Sequence, residues 1–118
     1  MRPHHKLEAW GKSVDLVIDV YRATGKFPME ERYSLTSQIR RAATSIPANI
    51  AEGAGRHSSR EFAYFVSNAQ GSASELETEL IIAQRLGYLD EALFSQLLAR
   101  VERIGRLITG LAKHIRTN

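Results

Sequence analysis

Cysteine is absent from this 118-residue chain, which excludes disulfides and thiolate metal ligands. Proline occurs only three times, so few positions interrupt a helix. Long apolar runs are missing too, and none approaches the roughly 20 residues that cross a bilayer. The N-terminal stretch has charges and histidines where a signal peptide needs an apolar core. These absences predict a cytoplasmic protein with no membrane partner.

The remaining composition is that of an ordinary globular protein, with 43% hydrophobic and 25% charged residues. We expect one domain spanning residues 1–118, since this length buries a sizeable core.

Apolar residues recur every three or four positions in four segments, each of which predicts an amphipathic helix. The first runs from about Leu7 to Thr24. The second, roughly Tyr33 to Ala54, contains Pro47, which we expect to kink it without breaking it because the apolar stripe stays in phase.

The third and fourth helices have recognisable start signals. Ser58 followed by Glu61 forms a capping box, and Asp90 is positioned to cap the last helix. The third helix is expected to end near Gly87. Because the connections between long helices are short, the sequence predicts an all-α, antiparallel up-down-up-down four-helix bundle.

The first helix carries two apolar stripes. We assign the first stripe to the core, and it comprises Leu7, Trp10, Val14, Val17 and Tyr21. The second contains Ala9, Ser13, Leu16 and Val20. Sustained apolar surface usually meets another chain, so Ala9, Leu16 and Val20 are expected to form an oligomer interface. The alternative is a broad contact within one chain.

Polar rows run beside the core stripes of the second and third helices. These helices reverse near His57, so positions equidistant from it should lie opposite each other. This register predicts a structural ion pair between Arg41 and Glu75, and we favour that interpretation over acid–base chemistry. Gly71 lies in a run of small residues within the third helix, and we expect the helix axes to approach closely there.

A search for catalytic or metal-binding patterns gives no candidate. The four histidines form neither Glu-x-x-His nor His-Glu-x-x-His spacings. No serine or threonine is paired with an evident base, and there is no cysteine nucleophile. The sequence therefore predicts a protein that is not an enzyme and has neither a metal nor a cofactor.

Basic residues give the strongest binding signal, since arginine supplies 12 of 16 cations and binds phosphate through a planar fork. Arg103, Arg106 and Lys113 fall on the fourth helix opposite its apolar seam, and the predicted nucleic-acid-binding set is completed by Lys12, Arg56 and Arg60. The aromatic residues considered for base stacking, Trp10, Phe62 and Phe65, fall on core stripes, so the sequence does not predict recognition of single strands by stacking. The alternatives are a solvated helix face, or a scaffold that binds a protein partner and no nucleic acid.

Several strings are distinctive together: Phe27-Pro28-Met29-Glu30-Glu31-Arg32-Tyr33, Arg40-Arg41-Ala42-Ala43, Asn49-Ile50-Ala51-Glu52-Gly53 and Gly71-Ser72-Ala73-Ser74-Glu75-Leu76-Glu77. With them the chain resembles the four-helix-bundle family of 23S ribosomal RNA intervening-sequence proteins. It is also similar to the accessory protein of diversity-generating retroelements, which associates with reverse transcriptase and nucleic acid. The resemblance implies an antiparallel bundle that assembles as a homopentamer, and makes RNA or DNA the leading candidate partner.

Overall fold

The computed structural model describes residues 2–117, which form four α-helices and two short 3-10 turns. The helices are α1 (Glu8–Thr24), α2 (Leu35–Ala54), α3 (Ser59–Arg85) and α4 (Glu91–Thr117), and the turns are Pro3–Lys6 and Met29–Glu31. Each helix packs against the next, and α4 returns to α1, where the contact is the least extensive. The resulting bundle measures 45 × 23 × 23 Å. The predicted all-α four-helix bundle is confirmed.

The predicted start signals cap α3 and α4. The backbone N–H of Glu61 donates to Ser58 Oγ at 3.1 Å, and that hydroxyl donates to Glu61 Oε1 at 3.1 Å. At the start of α4, Asp90 Oδ1 accepts from the backbone N–H of Leu93 at 2.8 Å. The backbone N–H groups of Glu61 and Leu93 have no partner within their own helices, and the two caps satisfy them. Helix α2 continues through Pro47, which is buried.

The expected oligomer interface on α1 is wrong, because Ala9, Leu16 and Val20 are all buried in the core of the single chain. Ser13 is fully buried beside them, and its hydroxyl donates to the carbonyl of Trp10 at 2.9 Å. A serine satisfied by its own helix behaves as a small core residue. The second stripe therefore packs inside the bundle, and a second chain cannot reach it.

The first stripe lies at the border of the core, against which Trp10 and Val17 pack. Its outer side, together with the neighbouring Ile18, is open to solvent. Ile18 is 48% exposed and Tyr21 is 43% exposed. Trp10, Val14 and Val17 are half-buried. We call these five residues the α1 apolar surface. The polar remainder of α1 faces α4, where Asp19 Oδ2 accepts from Arg100 Nη1 at 2.5 Å.

The register predicted between α2 and α3 is present. The hydroxyls of Ser45 and Ser72 lie 2.7 Å apart, four residues from Arg41 on α2 and three from Glu75 on α3. Arg41 and Glu75 line the same groove between the helices. The expected ion pair between them is nevertheless not formed, since no ion pair between described residues joins them.

The Glu75 carboxyl is instead engaged with a second carboxyl one turn along α3. Glu79 is only 7% exposed, and its Oε1 atom has no hydrogen-bond partner. Burial, and then repulsion from Glu75, raises the pKa of Glu79 to about 7, while Arg41 opposes this shift. The charge of Arg41 therefore acts on Glu79, one turn beyond the residue with which the sequence paired it.

Candidate nucleic-acid interface

The outer side of α4 carries the exposed cations that the sequence predicts. The apolar stripe of this helix, which includes Leu97, Ile104 and Ile108, is buried against the other helices. Arg106 and Lys113 are therefore turned outward, and both are exposed. Neither forms a hydrogen bond or an ion pair with another described residue. Their donors are available to an external anion.

Two other predicted cations are occupied by one carboxylate of α1. Arg103 Nη2 donates to Glu8 Oε2 at 3.1 Å, and Lys12 Nζ lies 3.9 Å from the same oxygen. The contact with Arg103 ties the start of α1 to α4, whereas the contact with Lys12 lies within α1. Exposed pairs of this kind contribute little stability, about 0–1 kcal/mol, so a phosphate competes with them easily. Arg103 and Lys12 therefore rank below Arg106 and Lys113 as phosphate ligands.

At the connection between α2 and α3, the predicted cations also divide into one paired and one unpaired arginine. Arg56 Nη2 donates to Glu52 Oε2 at 2.7 Å, and Nη1 lies 3.9 Å from Glu61 Oε2. The same guanidinium lies 4.8 Å from the centre of the Phe65 ring. Arg60 is exposed and has no such partner among the described residues. Only Arg60 retains its donors for an external ligand.

Two residues that belong to this surface were missed by the sequence reasoning. Arg116 is exposed and follows Lys113 by three positions, so the two lie on neighbouring sides of the last turns of α4. Tyr64 is 63% exposed one turn after Arg60, and its ring meets Phe65 edge-on at 5.1 Å. The four-residue spacing between Arg60 and Tyr64 is visible in the sequence and could have identified Tyr64. We call Arg106, Lys113 and Arg116 the α4 basic face.

The groove between α3 and α4 is less suited to phosphate than the α4 basic face beside it. This cavity of about 490 Å³ has Arg106 on its border, but Glu77 and Glu102 line it as well. Gln70 Nε2 on α3 donates to Thr109 Oγ1 on α4 at 2.7 Å and joins its walls. Two carboxylates disfavour an anion inside the groove. A phosphate backbone would therefore contact the outer side of α4.

Neither a metal-binding cluster nor a membrane-spanning helix occurs in the described part of the chain. Among the side chains that the structure describes, no group of three or more acidic residues or histidines could hold a metal ion. None of the described helices is long and apolar enough to span a membrane. The arrangement that remains is a set of surface cations on a helical bundle.

The fold and its exposed cations define the class of protein: a four-helix bundle with a basic surface. The sequence profile of the family described as 23S rRNA-intervening sequence protein matches residues 5–110. The chain belongs to this family. No curated protein matches it.

A solved structure shows the same fold. It is a protein of unknown function from the S23 ribosomal protein family of Bacteroides thetaiotaomicron, and it superposes with a TM-score of 0.83. The two sequences are 24% identical, and the match covers 89% of this chain and 95% of that chain. Similarity at this level establishes the shared fold alone.

Proposed function

We propose that the protein is a homo-oligomer that binds the phosphate backbone of RNA or DNA without reading base sequence. The observation that carries this proposal is the α4 basic face, whose three cations are exposed and have no carboxylate partner in the described part of the chain. Phosphate contacts of this type position a nucleic acid and give affinity without sequence information. Arg60 adds a fourth unpaired cation, at the start of the neighbouring helix α3.

Tyr64 supports a second contribution to binding. An exposed tyrosine one turn from an unpaired arginine offers a ring on which an unpaired base stacks. Stacking tolerates any base, so it agrees with binding that does not depend on sequence. Single-stranded nucleic acid is therefore the preferred form in this proposal.

Oligomer formation would repeat the α4 basic face by symmetry. A net charge of +3 is small for one chain, but several copies strengthen the field that an extended polyanion meets. The α1 apolar surface, with Ile18 and Tyr21 nearly half exposed, is the contact that we assign to this assembly. The resemblance described above makes five copies the expected number.

The alternative function is a protein-interaction scaffold, and the α1 apolar surface is the observation that favours it. If that surface binds a different protein, the bundle would need no nucleic acid. Measuring affinity at increasing salt concentration distinguishes the two functions, because phosphate contacts weaken steeply with salt and apolar contacts do not.

The deciding experiment measures binding of the full chain to labelled RNA and DNA, single- and double-stranded, across a salt series. We expect affinity to fall with salt and to drop at least about tenfold in the double variant Arg106→Ala, Lys113→Ala, since each lost phosphate contact weakens binding. The matched control is Lys26→Ala, Arg85→Ala, which removes two exposed cations elsewhere on the surface. Equal losses in both variants, or no binding at low salt, would overturn the proposal.

A further inference from the structure

A small cavity lies between the end of α1 and the start of α2, at the opposite end of the bundle from the α4 basic face. Its volume is about 210 Å³, and its lining includes Phe27, Met29, Arg32, Thr36 and Arg40. No carboxylate belongs to the lining. Glu31, the acidic residue next to Arg32, instead accepts from Tyr88 Oη at 2.8 Å and from the Leu35 N–H at 3.4 Å. Two arginines thus line a recess that has no carboxylate among its lining residues.

Arg40 is held in place by neutral groups only. Its Nε donates to Thr24 Oγ1 at 2.8 Å, and its Nη2 donates to the Tyr21 carbonyl at 3.2 Å. The guanidinium carbon lies 4.4 Å from the centre of the Tyr21 ring. Half-buried charges are usually paired with an opposite charge, yet Arg40 has no carboxylate within ion-pair distance among the described residues. The remaining donors, including both on Nη1, are fixed in orientation and unused.

Thr36 provides an independent sign of a missing ligand. Its side chain is 6% exposed, and its hydroxyl has no hydrogen-bond partner. Buried hydroxyls are nearly always bonded, so an unpartnered one in a cavity wall needs an explanation. Threonine in a helix populates two rotamers, and rotation about χ1 re-aims the hydroxyl. An anion in the cavity would supply the acceptor that this hydroxyl lacks.

We propose that this cavity binds the phosphate group of a phosphate monoester. Arg32, Arg40 and Thr36 all line this cavity, and together they offer charged and neutral donors that suit an anion with several acceptor oxygens. The cavity is smaller than the roughly 300 Å³ typical of sites for drug-sized ligands, so it admits the phosphate and only a small part of the attached group. Phe27 and Met29 line the recess as apolar contacts for that group.

The test is calorimetric titration and thermal unfolding of the full chain with three probes. These are inorganic phosphate, adenosine 5′-monophosphate, and a short oligonucleotide with or without a 5′-phosphate. We expect the monophosphate to bind the wild-type protein, and Arg32→Ala and Thr36→Val each to weaken this binding by about tenfold. Lys26→Ala removes a cation from the same connection but outside the cavity lining, and should change affinity less than twofold.

Thr36→Val also separates binding from folding. Without phosphate this variant should unfold at a higher temperature than the wild type, because it removes an unpartnered buried hydroxyl. Loss of phosphate binding in a more stable variant cannot be attributed to misfolding. Binding by adenosine 5′-monophosphate and the 5′-phosphorylated oligonucleotide, but not by inorganic phosphate, would identify an esterified phosphate such as a nucleic-acid end as the source, and binding by inorganic phosphate as well would identify a free-anion site. Both outcomes support the proposal.

The proposal is overturned if no phosphate probe binds. It is also overturned if Arg32→Ala and Lys26→Ala weaken binding equally, since the loss of affinity would then reflect only the lower positive charge of the protein, a long-range effect that salt screens. The result is independent of the α4 basic face. The variant Arg106→Ala, Lys113→Ala should retain monophosphate binding, so failure of one proposal is distinguishable from failure of the other.

Discussion

A Cβ atom added to Gly53 on α2 would lie 2.9 Å from the Cβ atom of Phe65 on α3. It would also lie 3.2 Å from the carbonyl oxygen of Phe62. Neither neighbour is the end of a flexible side chain, so the two helices would have to separate. Overpacking costs about 1–3 kcal/mol, of which about 1 kcal/mol is offset by the helix preference of alanine. We expect Gly53→Ala to lower the free energy of unfolding, measured by urea denaturation.

Gly71 on α3 provides the matched control. A Cβ there would meet nothing within 4 Å, and the residue is exposed. Gly71→Ala should therefore raise the free energy of unfolding by about 0.5–1 kcal/mol. The sequence-based expectation of close helix packing at Gly71 is wrong, and Gly53 is the position where it occurs. Destabilisation by both alanines would refute this explanation.

The fold could be predicted from the sequence wherever a local rule decides the outcome. Ser58 and Asp90 cap helices through contacts with residues three positions away, and this spacing is visible in the sequence. The short connection near His57 fixes which residues of α2 and α3 face each other, and the contact between Ser45 and Ser72 follows from it. The spacing of the apolar residues was enough to predict the four helices.

The orientation of α1 could not be predicted in the same way. Both stripes are long enough to form a core, and the larger side chains are in the stripe that faces outward. Ala9 and Ser13 are small, so the buried stripe lets α1 lie close to the bundle, but this depends on the neighbouring helices. For the candidate interface, exposure followed from helix periodicity. The sequence could not show which of these cations lack a partner, because the pairing of Arg103 with Glu8 depends on the packing of α1 against α4.

The α1 apolar surface predicts how the assembly responds to a single charge. Ile18→Glu places a carboxylate on this surface, at a side chain that is 48% exposed in one chain. The bundle should tolerate it, whereas a buried contact between copies should not. Light scattering should give the mass of a smaller species. Thr78→Glu adds the same charge on an exposed position of α3 and should leave the mass unchanged. An unaltered mass for Ile18→Glu would remove this surface from the assembly.

The contact between Asp19 and Arg100 predicts a pH-dependent stabilisation of α1 against α4. Hydrogen bonding from the Arg100 guanidinium, aided by its charge, holds the pKa of Asp19 below its usual value of 3.8. An acid with a lowered pKa in the folded state stabilises the fold above the unfolded value, and this contribution is lost as the pH falls further. Because the pair is partly exposed, Asp19→Asn should cost less than about 1 kcal/mol at pH 7.

A double-mutant cycle with Arg100→Gln measures this contribution. The coupling between the two positions should be present at pH 7 and fade as the pH falls below about 3.8, where Asp19 takes up its proton. Coupling that is equally large in acid would show that charge does not hold the pair together.

Glu79 predicts a pH dependence of the opposite sign. Its pKa is raised to about 7 from 4.5, first by burial and then by repulsion from Glu75. The folded chain therefore holds this proton more tightly than the unfolded chain does. The contribution of Glu79 to stability is therefore fully present below about pH 4.5 and is lost as the pH rises through about 7, where the folded protein must accept a buried charge.

Glu79→Gln tests this directly because glutamine mimics the protonated side chain at every pH. We expect the variant to be more stable than the wild type by about 1–3 kcal/mol at pH 8 and by less than about 1 kcal/mol at pH 5. Chemical denaturation at both pH values gives the difference, and Glu102→Gln serves as the control for loss of a carboxylate at an exposed position. A stability difference of the same size at both pH values would mean that Glu79 is charged throughout this range. The buried Oε1 atom would then need a cationic partner, and Arg41, which already acts on this carboxyl, would be the residue to substitute next.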